Sequence, residues 1–76
     1  MYYHYEELDY DENCPKDILF EVESDEKALE FVSEYMLQCK YCGYYLVEIT
    51  EPKIEKNGCM LYLTYNDIRT IKKKRA

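Results

Sequence analysis

From Asp17 to Glu23 apolar and polar positions alternate. Ile18, Phe20 and Val22 fall on one side and Leu19, Glu21 and Glu23 on the other, which is the two-residue period of a half-buried strand. At Ser24 the period changes. Ala28, Val32, Tyr35, Met36 and Cys39 recur at helical spacing, flanked by Leu29, Phe31 and Leu37, so one face of a helix running from about 25 to 41 is apolar. Ser24 is a good N-cap, although Lys27 at the third helical position leaves the capping box incomplete. Asp25 and Glu26 suit the positive end of the helix dipole. Gly43 is expected to end the run as a left-handed residue.

The stretch from Tyr44 to Tyr65, YYLVEITEPKIEKNGCMLYLTY, reads as a hairpin turning at Asn57-Gly58, a strong short-range hairpin signal. A two-residue turn there pairs Lys56 with Cys59, Ile54 with Leu61 and Pro52 with Leu63. A bulge near Glu51-Pro52 would bring Val47 and Ile49 onto the same face as Ile54, Leu61 and Leu63. Residues 1–13, MYYHYEELDYDEN, alternate only loosely and are read as an acidic, Tyr-rich arm or edge strand. Asn66 is placed to cap a short C-terminal helix with Ile68 and Ile71 inward, and residues 72–76 form a basic tail expected to fray. The economical assembly is α+β. It is a small two-layer single domain spanning 1–76, with one main helix packed on a three- to four-stranded sheet and a C-terminal hairpin.

A domain of 76 residues obtains only about 3–5 kcal/mol from its core, and chains of this size often add a staple. Four cysteines are available for one. Cys39-Lys-Tyr-Cys42-Gly has the spacing of a zinc knuckle, in which two thiolates three residues apart chelate one ion. Cys14, before Pro15, and Cys59, after the Asn57-Gly58 turn, could complete a structural Cys₄ zinc site, with His4 as a substitute ligand. Plain burial of the thiols is the alternative. A redox pair fits less well, because reactive C-x-x-C motifs sit at helix N-termini and this one sits at a C-terminus.

Charge divides the chain. Residues 1–34 carry twelve acidic and two basic side chains, a net of −10, and residues 35–76 carry four acidic and eight basic, a net of +4. An acidic half is repelled by nucleic acid and attracted to a basic protein surface. Ten tyrosines and no tryptophan also suit an interface, since Tyr presents a large apolar body with a polar tip. Tyr2, Tyr3, Tyr5 and Tyr10, interleaved with Glu6, Glu7, Asp9, Asp11 and Glu12, are therefore the candidate partner-binding residues. No stretch reads as a signal peptide or membrane span, so a cytoplasmic protein with reduced thiols is expected.

No phosphate-binding, dinucleotide-binding or zinc-protease motif is present. The single histidine and the dispersed carboxylates single out no catalytic couple, and no enzyme is expected. In size and acidity the chain resembles small phage-encoded anti-CRISPR proteins, particularly acidic inhibitors of type II-A effector nucleases. That family shares no motif, so no functional residue carries over. The resemblance implies binding to an RNA-guided nuclease in the host cytoplasm so that target DNA cannot load or be cut. The rival expectations are a zinc-containing nucleic-acid-binding regulator using Lys72, Lys73, Lys74 and Arg75, and an antidote of the toxin–antitoxin kind.

Overall fold

The computed structural model describes residues 1–8, 17–39 and 43–75. Four antiparallel strands form the main sheet: β1 (Tyr2–Leu8), β2 (Asp17–Glu21), β3 (Gly43–Ile49) and β6 (Asp67–Lys74), in the order β2-β1-β3-β6. Helix α1 (Asp25–Gln38) connects β2 to β3. Both of these strands pair antiparallel with β1 and so run in the same direction on either side of it. Strands β4 (Lys53–Asn57) and β5 (Met60–Thr64) form a separate two-stranded sheet. No helix among the described residues is long and apolar enough to cross a membrane.

The helix starts where its cap places it. Ser24 is extended, at φ −156° and ψ 166°, and its Oγ accepts the Lys27 amide at 3.3 Å, satisfying one of the unpaired donors of the first turn. Ala28 and Val32, four residues apart, are buried against Tyr3, Tyr5, Tyr44 and Leu46 of the sheet. Ile18, Phe20, Val22, Leu29, Tyr35, Met36 and Ile71 close around that core. Phe31 is half exposed, yet its ring stacks on Phe20 at 4.3 Å between centroids. The helix ends at Gln38 with Cys39 as its C-cap, and Gly43 opens β3 opposite Leu8 rather than serving as a left-handed terminator. The expected helix face is thus the buried one, and the expected one-helix α+β sheet architecture holds.

Three expectations change. The N-terminal stretch is an interior strand: β1 is hydrogen-bonded on both sides, and Tyr3 and Tyr5 are wholly buried. The tail is strand β6, not a helix. Leu46 pairs with Lys72 and Val47 with Thr70, then Glu48 with Arg69 and Ile49 with Asp67, so Ile71 and Ile68 are each the extra residue at a register shift. A bulge admits one extra residue per step, and two of them give β6 the three-residue isoleucine spacing that imitates a helix.

The hairpin also differs. Asn57 pairs with Met60 and Ile54 with Leu63, so Gly58 and Cys59 form the two-residue loop, with Gly58 at φ 63°. That puts glycine at the first loop position, where a primed turn needs positive φ. Thr50, Glu51 and Pro52 interrupt the chain between β3 and β4. Thr50 and Asn66 then tie the neck, Thr50 N–H to Asn66 O and Asn66 N–H to Thr50 Oγ1, each at 2.9 Å. The hairpin therefore stands off the domain. Every residue of β4 and all but the last of β5 are exposed, and Ile54, Leu61 and Leu63 are not in the core.

Candidate functional site

The sheet has two faces, and α1 covers only one. Because side chains alternate along a strand, Tyr3 and Tyr5 point at the helix while Tyr2, His4 and Glu6 point away from it. The register places Tyr45, Val47 and Ile49 of β3 and Asp17, Leu19 and Glu21 of β2 on that second face. His4 is buried there. The rings of Tyr45 and Tyr65 meet its imidazole edge-on, each with centroids 5.7 Å away.

Around His4 the polar groups converge. Its Nε2 lies 2.5 Å from Asp17 Oδ1 and 3.8 Å from Glu6 Oε2. The three ligand-type atoms all fall within 4.8 Å of one another. Tyr45 donates its hydroxyl to Glu6 Oε2 in a short hydrogen bond. Burial first, then that carboxylate, pushes the Tyr45 hydroxyl well above the ordinary tyrosine range, and Asp17 and Asp67 add to the shift. Tyr65 is raised for the same reasons, burial first and then the fields of Asp17, Asp67 and Glu6. Both shifts hold these tyrosines protonated, so neither is prepared as a tyrosinate nucleophile. The arrangement offers one imidazole and two carboxylates, which can hold a proton or a cation.

Comparison with protein-family models, with curated proteins and with solved structures returns no match. The functional reading therefore rests on the geometry of this chain.

The residues expected to bind a partner are dispersed. Tyr3 and Tyr5 are core residues and cannot act as surface anchors; their hydroxyls bond Asp25 at 2.7 Å and Glu7 at 2.8 Å. Tyr2 is half-buried and reaches Glu51 at 3.3 Å. Glu6 belongs to the His4 group and Glu7 to Tyr5. Asp9, Tyr10, Asp11 and Glu12 lie outside the described residues.

Of the four expected zinc ligands, Cys14 and Cys42 also lie outside them. Cys39 is buried with its Sγ 3.8 Å from Gly43 O, and it is disulfide-bonded. Cys59 is free and exposed at the hairpin loop. Cys39 sits beside the start of β3, whereas the hairpin leaves from its end. Seven residues of strand, about 20 Å at roughly 3.3 Å per residue, separate those two levels. His4, proposed only as a substitute for a cysteine, instead keeps company with carboxylates. The sequence signal for that was His4-x-Glu6, two ligand types at same-face strand spacing. The third member, Asp17, depends on register.

Proposed function

We propose that the chain is a small protein-binding inhibitor that docks on a partner with a basic surface. An RNA-guided effector nuclease is the partner class that its likeness in size and acidity implies, with target DNA kept from loading or being cut. The observation that carries the protein-binding reading is the exposed hairpin. Ile54, Leu61 and Leu63 share one of its faces by register, with Met60 and Tyr62 on the other, and all five are exposed. A two-stranded hairpin alone is marginal in water, and a contiguous apolar patch on a small protein marks an interaction site.

Charge supports a basic partner. Glu21, Glu23, Glu26, Glu30 and Glu34 are exposed along β2 and the outer side of α1, where they would steer encounter with a positive surface. The apolar hairpin residues would then act on dissociation, as buried anchors do. This moves the anchoring role from Tyr3 and Tyr5 to the hairpin. The rival reading draws on Lys72, Lys73 and Lys74, exposed along β6, but lysines on an edge strand also protect it from pairing with other chains.

The test offers the purified chain to immobilised guide-loaded type II-A nucleases and, separately, to bare DNA and RNA. The expected result is protein binding whose association rate falls as salt rises, and which Leu61→Asp with Leu63→Asp abolishes without lowering the melting temperature. Tight, salt-sensitive binding to bare nucleic acid, removed by replacing Lys72, Lys73 and Lys74 with Ala, would overturn the reading.

A further inference from the structure

We propose that His4, Glu6 and Asp17 form a site for one divalent transition-metal ion, with zinc as its ion, on the face of the sheet that the helix leaves open. None of its three ligands is a cysteine, and none belongs to the hairpin.

Backbone geometry assembles it. His4 and Glu6 are two apart on β1 and so share a face, and Asp17 is the direct cross-strand partner of Glu6. Bonds of about 2.0–2.2 Å from zinc to imidazole nitrogen and carboxylate oxygen place ligand atoms of one ion roughly 3–4 Å apart. The three atoms here lie within 4.8 Å. The His4–Glu6 separation of 3.8 Å already fits, and the His4–Asp17 contact, at 2.5 Å, must open. The Asp17 side chain is 63% exposed, with solvent to turn into, while that of His4 is 9% exposed and held by its neighbours.

Charge and orientation agree. Among the described residues neither Glu6, Asp17 nor Asp67 is paired with a lysine or arginine, yet all three act on Tyr45 and Tyr65. A dication would neutralise the two ligating carboxylates. Tyr45, donating to Glu6 Oε2, and the two tyrosine rings against His4 supply the outer contacts that orient ligands in metal sites. One imidazole with two carboxylates favours zinc, manganese or cobalt over calcium and magnesium, which take oxygen alone. Three protein ligands leave a position for water or a partner's side chain.

The test uses the full chain after chelation and dialysis, with zinc chloride alone as the probe, read by titration calorimetry and thermal melting. One ion per chain should bind. At a zinc concentration hundredfold above Kd the melting temperature should rise by about 10 °C or more. Asp17→Asn, a near-isosteric change at an exposed position, should weaken binding at least tenfold, and Glu6→Gln should do the same. Cys59→Ser should bind as the parent does. No heat and no change in melting at millimolar zinc would overturn the proposal. So would binding by both carboxylate variants at parental affinity, or binding lost in Cys59→Ser, which would assign the ion to the cysteines.

Discussion

Leu46 and Leu61 undergo the same chemical change on replacement by alanine, but from opposite environments. Leu46 is 0% exposed at the centre of the sheet, beneath α1, whereas Leu61 is 69% exposed on the hairpin. Leu46→Ala removes three carbons from a packed interior, a transfer loss of about 2.4 kcal/mol at roughly 0.8 per buried methylene. A residual void of some 60 Å³, at about 24 cal/mol per Å³, adds about 1.5 kcal/mol. The expected cost is therefore about 4 kcal/mol, which matches the whole stability of a domain this size, about 3–5 kcal/mol. Leu61→Ala gives up only cross-strand contact with Lys56 and its neighbours, so about 0.5 kcal/mol or less is expected. Urea denaturation followed by far-UV circular dichroism, at two protein concentrations tenfold apart, measures both. A loss of about 2 kcal/mol for Leu61→Ala, comparable with buried leucines, would refute the exposed hairpin. If that loss appeared only at the higher concentration, the hairpin would be buried between copies of the chain.

Asp25 ties the helix start to the sheet, accepting from the Tyr3 hydroxyl at 2.7 Å and from Arg69 Nη2 at 2.7 and 2.8 Å. The Tyr3 hydrogen bond first, and then Arg69, holds its carboxyl below the usual range. A depressed folded pKa contributes stability above the unfolded value, about 3.9, and that contribution is lost as pH falls through the folded one. Asp25→Asn should accordingly flatten the decline in melting temperature below about pH 4, and an unchanged acid limb would contradict this. At the alkaline end, burial and then the Asp25 hydrogen bond push Tyr3 up to about 12, and burial with Glu7 raises Tyr5 further. Their stabilising contribution is intact below the unfolded value of about 10 and declines as pH rises towards the folded ones. Ultraviolet titration should show a late tyrosinate fraction that appears together with unfolding. Tyr3→Phe should remove one tyrosine from it, and a single early transition for every tyrosine would rule out the burial argument.

The elements with strict local periods were legible in the chain alone. Ile18, Phe20 and Val22 alternate because a strand has two faces, and Ala28, Val32, Tyr35 and Met36 recur because a helix repeats every 3.6 residues, so each names its own buried side. Ser24 and Gly58 act within a few residues of themselves, which made the helix start and the hairpin readable, though not the pairing of Asn57 with Met60. What the sequence could not state was which strand lies beside which. Tyr3 and Tyr5 looked like surface anchors until β3 paired along the free side of β1. Ile68 and Ile71 looked helical until two register shifts on β6 absorbed their spacing. Val47 and Leu61 seemed to belong to one apolar face until the neck at Thr50 and Asn66 separated the sheets. His4 and Glu6 share a face by local geometry, but only the β1–β2 register brings Asp17 to them, because hydrogen bonding between strands joins residues that no local period connects.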